Sequence, residues 1–184
     1  SLVMLARNIL AIAGDTNSDD FPIAGTALRR TQAGGGDAFL LRMNLDASPA
    51  AALTFSTLLG GGSGDVALSV SAAPEGALML SGYTLSSDFP KVGGALQTGD
   101  AGVVDMFLTK IQPATGALEY SSVLGSTSID FAVGANTVSP VNACEFVIGG
   151  QTQSRNWPTT DNAAQTSLSG LSDAVAVRAN ICNN

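Results

Sequence analysis

The sequence GDTNSDDFP at residues 14–22 recurs as GYTLSSDFP at 82–90 and as GQTQSRNWP at 150–158. Each copy begins 68 residues after the one before it. All three share glycine, threonine, serine and proline at the same places, with an aromatic residue before the proline. Self-similarity at a fixed long period predicts an architecture built by repeating one supersecondary unit.

The repeat extends beyond these nine residues. LTFSTLLGGGSGD (53–65) matches LEYSSVLGSTSID (118–130), and an indel between the blocks falls in a turn, where repeat units tolerate it. The period predicts a single repeat domain, 1–184, with units at about 1–64, 65–129 and 130–184. The recurring positions to which we assign structural roles are Gly14, Gly82 and Gly150; Phe21, Phe89 and Trp157; and Asp37, Asp105 and Asp173.

Composition narrows the class of protein. The chain is 45% hydrophobic but only 12% charged, and it contains 21 glycines, which suits tightly packed, turn-rich β structure. Its net charge of −7, without a basic run, argues against nucleic acid as a partner. No stretch reaches the roughly 18 uncharged apolar residues that span a bilayer, because Arg7 and Asn8 interrupt the apolar opening segment.

Each unit contains four short strand patterns. The first is apolar on both faces and ends at glycine (ILAIAG, ALMLSG and EFVIGG), so we expect residues 9–14, 77–82 and 145–150 to be the most buried segments. The second strand alternates, as in DAFLLRMN; the third is LTFSTLLG or LEYSSVLG, and the fourth follows Asp65 or Asp130. Tandem four-stranded antiparallel units predict the all-β blades of a β-propeller.

The motifs also resemble a known family. G-x-T-x-S-x-(D/N)-(F/W)-P, then G-G-x-D-A-F, then L-x-(Y/F)-S-(S/T)-x-L-G resembles the bacterial SBBP-type β-propeller repeat, over nearly the whole chain. The departures are Trp157 and Val175, each in place of Phe, and a third unit that stops before its YS-LGG half. The resemblance implies a secreted or cell-surface protein, and it brings no known catalytic residues.

One candidate metal site lies in the first copy of the motif. Asp15, Asn17 and Asp19 have the D-x-N-x-D spacing of a calcium loop. An EF-hand would have Gly at position 20 and Glu at position 26, where this chain has Asp20 and Thr26. The other two copies lack the carboxylates, so we interpret the segment as a turn and keep an adventitious Ca²⁺ site as the alternative.

The recurring charged residues also allow two interpretations. The three aspartates at 37, 105 and 173 could form a ring of carboxylates, or each could cap the turn before its strand by accepting backbone N–H bonds. Arg42, Lys110 and Arg178 could clamp a substrate or tie neighbouring blades together. Because an active site usually breaks a repeat, we favour the structural interpretation of both sets.

The sequence offers little for catalysis. It contains no histidine, which excludes Ser–His and Cys–His pairs and histidine-ligated metals. Its glycine-rich stretches lack the Lys-Ser/Thr of a phosphate loop, and nothing selects one pair of aspartates for glycoside hydrolysis. We therefore predict no enzymatic activity and no resident cofactor.

Two classes of function remain. The first is a structural, adhesive or assembly module, and the second is a carbohydrate- or ligand-binding domain; a polysaccharide-degrading enzyme is a more remote alternative. Exposed aromatic side chains would favour ligand binding, but aromatic residues make up 5% of the chain. Trp157 is the only tryptophan and occupies a position filled by Phe elsewhere, which indicates a core role.

The two cysteines predict a disulfide. Cys144 immediately precedes the strand EFVIGG and Cys182 follows VAVRANI, and neither lies at a repeated position. Adjacent antiparallel strands place the start of one beside the end of the next, at the ~5.5–6 Å that a disulfide requires between Cα atoms. The bond implies an oxidising compartment.

The phase of the repeat predicts an incomplete ring. The sequence starts inside a fourth strand and ends after the second strand of the third unit, whereas closed propellers have about 4–8 blades. An unpaired strand edge invites pairing with another strand. We expect the partner to be further copies of the chain or the rest of a longer chain, in a closed ring or a filament.

Overall fold

The computed structural model describes residues 1–94, 102–137 and 144–182. Those residues form eleven strands: β1 (Leu2–Ala6), β2 (Ile9–Thr16), β3 (Asp37–Asn44), β4 (Leu53–Leu59), β5 (Asp65–Ala72), β6 (Leu78–Thr84), β7 (Asp105–Gln112), β8 (Ala117–Leu124), β9 (Asp130–Thr137), β10 (Glu145–Thr152) and β11 (Asp173–Asn180). The only helical segments among them are two 3₁₀ turns, Pro49–Ala51 and Pro74–Gly76. In the part of the chain described, no helix is long and apolar enough to cross a membrane.

The strands form three antiparallel sheets, each a meander in chain order. The first contains β1–β2–β3–β4, the second β5–β6–β7–β8, and the third β9–β10–β11. The all-β prediction is confirmed, and the strand DAFLLRMN coincides with β3. No sheet closes on itself within the described ranges.

Two of the recurring glycines are required by close backbone contact. A Cβ atom on Gly82 would lie 1.9 Å from the carbonyl oxygen of Val66, and one on Gly150 would lie 2.1 Å from that of Phe131. In both sheets the register shifts close to the glycine, so the first strand bulges against it. At Gly14 the nearest atoms are instead those of the Phe39 ring, at 3.0 Å.

Successive sheets pack face to face through two apolar cores. The first core joins the first and second sheets and includes Leu40, Phe55, Leu80 and Phe107. The second core joins the second and third sheets and is built around buried side chains that include Met106, Leu108, Tyr120, Phe146 and Ile148. In each case the first strand of the later sheet crosses the two middle strands of the earlier one, and the first strands β1, β5 and β9 contact one another in succession.

The predicted order of burial is wrong for two of three strands. Of the glycine-ended strands, β6 is buried almost throughout, whereas β2 and β10 bury only some of their residues. Strand β7 is buried at every position except its last. The reason is position in the stack, because among the three sheets of the described residues the second alone has another sheet on both of its faces.

The predicted disulfide is confirmed. Cys144 and Cys182 are bonded, with 5.1 Å between their Cα atoms. The backbone N–H of Ile181 donates to the carbonyl of Cys144 at 2.7 Å, and this hydrogen bond extends the β10–β11 ladder by one step. The disulfide joins the start of β10 to the end of β11, as the antiparallel geometry predicts.

Candidate functional site

A buried polar cluster fixes the linker between the first and second sheets. Asp65, the first residue of β5, is 1% exposed. Its carboxylate accepts hydrogen bonds from the Thr84 hydroxyl, from Ser86 Oγ at 2.9 Å and from the backbone N–H of Gly61 at 2.8 Å. Ser86 Oγ in turn accepts the N–H of Ser63 at 2.9 Å. The carboxylate therefore binds the T-x-S motif after β6 to the β4–β5 linker.

The same cluster recurs at the next linker. Asp130 is fully buried and accepts bonds from Thr152 Oγ1 at 2.5 Å, Ser154 Oγ at 2.9 Å and the N–H of Ser126 at 2.7 Å. The N–H of Ser128 donates to Ser154 Oγ at 3.0 Å. Both sheet junctions are therefore held by one set of bonds, which we call the Asp–Thr–Ser cluster.

In the first unit the T-x-S motif forms a different set of side-chain bonds. Thr16 Oγ1 accepts the N–H of Ser18 at 3.0 Å, as in the other units, but Ser18 is exposed and its hydroxyl donates to Asp20 at 2.7 Å. The Gln32 amide also donates to the carbonyl of Thr16 at 3.1 Å.

The calcium candidate Asp15, Asn17 and Asp19 belongs to this turn. All three residues are exposed. Within the described ranges, no group of three or more His, Cys, Asp and Glu side chains is arranged to hold a metal ion. The local bonds from Ser18 and Gln32 account for the shape of the segment as a turn.

The capping bonds predicted for the recurring aspartates are present in two units. The carboxylate of Asp37 accepts the N–H of Ala33 at 3.1 Å, and that of Asp173 accepts the N–H of Ser169 at 2.6 Å. Asp173 also accepts a bond from the Gln165 amide. Asp105 is buried at the equivalent place, beside Gly125.

Two carboxyl groups lie close together at the first junction. Gly60 separates them: a Cβ atom there would lie 2.6 Å from Asp65 Oδ2 and 2.7 Å from Asp37 Oδ1. Burial raises the pKa of both groups, and the Asp65 charge raises the pKa of Asp37 further; hydrogen bonds from Thr84, Gly61 and Ser86 oppose the increase at Asp65. Both residues are buried, so neither carboxyl group lines an open cleft.

Two of the recurring cations form ion pairs within their own sheet and not between sheets, so the predicted tie between neighbouring blades is wrong for Lys110 and Arg178. Lys110 Nζ lies 2.8 Å from Glu119 on β8, and Arg178 lies 2.7 Å from Glu145 on β10. Each ion pair connects adjacent strands of one sheet. Side chains on the same face of adjacent strands lie close enough to pair, and each of these cations pairs with a carboxylate on the neighbouring strand of its own sheet.

The recurring aromatic residues pair within two sheets and not in the third. Phe21 lies 4.9 Å from Phe39, and Phe89 lies 4.8 Å from Phe107, measured between ring centroids. In the third unit Val175 replaces the second ring, and Trp157 is half-buried against the second core. An open cleft forms beside Trp157, lined by Val175, Arg155 and Gln165 among others.

The face of the third sheet that points away from the second sheet is open. It presents Val147, Gly149, Ala174, Ala176 and Arg178, which share a face by register. Ala174 and Ala176 are exposed, and a Cβ atom on Gly149 would meet nothing within 4 Å. The equivalent residues of the first sheet, among them Ala11, Ala38 and Leu40, are covered completely by the second sheet.

The first sheet has an open face on its opposite side. Cross-strand register places six apolar side chains together there: Leu2, Met4, Leu10, Ile12, Leu41 and Met43. Leu2 is 65% exposed and Met4 is 48% exposed. A contiguous apolar face of this kind is typical of an interaction surface. We call these two surfaces the bulky face (first sheet) and the small-residue face (third sheet).

Sequence reasoning missed the role of Asp65 and Asp130. The sequence shows both as repeated residues just before a predicted strand, and it predicts a turn for the T-x-S motif. Their partnership follows only from the pairing of β5 with β6, which places Asp65 opposite Thr84. The recurrence of both elements in step was the available indication.

No protein-family model matches the chain, and no curated protein matches it at a significant level.

Proposed function

We propose that the chain is a non-enzymatic β-propeller module, of the kind its SBBP-like repeats suggest, with a structural, adhesive or assembly role at the bacterial cell surface or outside the cell. One observation carries the proposal: the two open faces occupy the same repeat positions as the faces that pack together inside the molecule. The module would join further copies of itself, or the rest of a longer chain, by the contact that already joins its own sheets.

The packing of the strands supports the propeller arrangement. The first strands β1, β5 and β9 contact one another in succession, while β4 and β8 lie at the opposite edges of their sheets. Sheets that meet at their first strands and diverge toward their last ones are typical of radial repetition about an axis.

The chemistry of the open faces supports assembly. At the first junction, small side chains on one sheet (Ala11, Ala13 and Ala38) accept large ones (Leu80 and Phe107) from the next. The small-residue face and the bulky face repeat that pairing of small with large. Head-to-tail contact between two copies would bury both, and such a contact propagates into a ring or a filament.

The disulfide supports an extracytoplasmic location. Disulfides form and persist in secreted and surface proteins and are rare in the reducing cytosol. The Cys144–Cys182 bond therefore fits the location that the resemblance implies.

Native mass spectrometry and electron microscopy of the purified chain test the assembly role. We expect oligomers or filaments that grow with protein concentration and persist at high ionic strength. Each chain has a net charge of −7, and salt screens the repulsion that opposes association through apolar faces. Leu41→Asp on the bulky face should abolish them, whereas Asp19→Asn in the exposed turn should not. A chain that remains monomeric at every concentration would overturn this role.

A carbohydrate-binding function is the second candidate, and the cleft beside Trp157 is the observation that favours it. An indole beside polar side chains such as Arg155 and Gln165 can stack on a sugar ring and bond its hydroxyls. Screening the chain against immobilised glycans tests this directly. Binding that is lost in Trp157→Ala and retained in Phe21→Ala would favour it over the structural role.

A further inference from the structure

Strand β11 pairs on one side only within the described residues. Its partner there is β10, and its other edge carries the backbone groups of alternate residues, Ala174, Ala176 and Arg178. Their direction follows from the first sheet, where the N–H of Asn44 donates toward β4 and that of Leu45 toward the β2 side. Since strands alternate, the residues equivalent to Leu40 and Arg42 direct their N–H groups outward from β11.

In the other two sheets this edge is occupied by a strand of one sequence type. Strand β4 pairs with β3, and β8 pairs with β7, and each contains an aromatic residue followed by Ser and then Ser or Thr. The first of these serines, Ser56 or Ser121, is fully buried. Its hydroxyl donates to the carbonyl of Pro22 or Pro90, at 2.6 Å in both cases.

The same serine also forms backbone bonds on its other side. Ser121 and Val92 exchange bonds of 2.8 and 2.9 Å, and the N–H of Ser56 donates to Ala24 at 2.9 Å. The fourth strand is therefore bound on both edges, by the third strand and by the segment after the proline. In the third unit the equivalent groups belong to Pro158 and Thr160, which are exposed.

The cleft beside Trp157 coincides with this position in the repeat. Gln165, which lines it, is the equivalent of Arg29. In the first sheet Arg29 donates its N–H to Thr57 Oγ1 at 3.0 Å and accepts the N–H of Leu58 at 3.2 Å, so it contacts the fourth strand β4 directly. The cleft thus lies where a fourth strand would run along β11.

We infer that the open edge of β11 binds an added β-strand with the sequence pattern of β4 and β8: an aromatic residue, Ser, Ser or Thr, any residue, then Leu-Gly. Such a strand would pair antiparallel with β11, with its second Ser or Thr opposite Ala176 and its first Ser bonded to the carbonyl of Pro158. The inference rests on the proposed assembly role and names the segment that this edge recognises.

A peptide of residues 117–130, labelled with a fluorophore, tests the inference on the full chain. We expect saturable binding, together with slower amide hydrogen exchange at Ala174, Ala176 and Arg178. Two modified peptides test the register, one changed in its backbone and one in a side chain, since the backbone of Ser122 faces the third strand and that of Ser121 faces Val92. N-methylation at Ser122 should weaken binding at least about tenfold by removing a ladder bond, and Ser121→Ala should weaken it through the lost bond to Pro158.

The remaining outcomes overturn the inference. Equal affinity for the Ser122 N-methylated peptide would exclude strand addition, and protection changes confined to β7 would show exchange with β8 instead. Protection of β11 without peptide, rising with protein concentration, would show that two copies pair edge to edge. If the peptide fails to bind while the chain still assembles, the inference fails and the proposed assembly role stands.

Discussion

The second and third sheets carry the same repeat, but the same face is buried in one and exposed in the other. Met106 and Leu108 of β7 are each 1% exposed, whereas the equivalent Ala174 and Ala176 of β11 are open to solvent. Small side chains do not explain the difference, because Ala11 and Ala38 of the first sheet are fully buried at this face. What differs is whether another sheet follows. Burial in this molecule is decided by neighbours, and the third sheet has one neighbour within the described residues.

The largest expected effect comes from placing a charge at that face in both sheets. Leu108→Asp would bury an unpaired carboxylate in the second core and should cost about 4 kcal/mol of stability or more. Ala176→Asp, at the same repeat position, should change the free energy of unfolding by about 0.5 kcal/mol or less while abolishing association. Urea denaturation with native mass spectrometry measures both. Equal losses of stability would show that the face is covered in the third sheet.

Removing the disulfide should increase the difference in local stability between the second and third sheets. The bond closes a segment of 38 residues, and in the chain-entropy description its loss costs roughly 3–4 kcal/mol. We expect the double variant Cys144→Ser, Cys182→Ser to speed amide exchange in β10 much more than in β6, since the third sheet lacks a second neighbour. Uniformly faster exchange in both strands would contradict independent opening of the third sheet.

Substitution of the recurring glycines should give a smaller difference in stability. Gly82→Ala drives a Cβ atom against the Val66 carbonyl and should destabilise by about 3 kcal/mol. Gly14→Ala meets only the Phe39 ring, which can rotate, and should cost about 1 kcal/mol or less. Thermal or urea unfolding of the two variants gives the difference. A similar loss of stability in both variants would mean that close contact with the first strand of the sheet is not the reason for glycine at these positions.

The smallest effect concerns pH. Burial raises the pKa of Asp37 and Asp65 above the ordinary 3.8, so the folded state binds protons more tightly than the unfolded one. Their contribution to stability is present below pH 3.8 and is lost as the pH rises through the folded pKa values. Relative to the parent, Asp65→Asn should therefore become progressively more stable as the pH rises from 4 to 7, with Asp15→Asn as the exposed control. A difference independent of pH would contradict the raised pKa.

Much of the local structure could be predicted from the repeat. The strands DAFLLRMN and EFVIGG, the turns between them and the Cys144–Cys182 bond follow from alternation, turn residues and antiparallel geometry. These features depend on residues near one another in the sequence or on one pair of adjacent strands.

The rest depends on contacts between strands and sheets. The ranking of burial failed because a strand's own residues do not reveal whether a sheet covers both of its faces. The partners of Arg178 and Lys110 depend on which strand lies beside each, and the Asp65–Thr84 contact requires the β5–β6 register. Such information becomes available only when the sheets are assembled.

The Asp–Thr–Ser cluster has a consequence for how such a chain could evolve. Asp65, Thr84 and Ser86 all fall within one unit, so a duplication that copies the unit copies the entire cluster with it. From the preceding unit the cluster uses mainly backbone N–H groups, such as that of Gly61, which most sequences can supply. Duplication or deletion of one unit could therefore lengthen or shorten the array without changing the bonds at a junction. Selection would remain free to change the outward-facing residues of each unit.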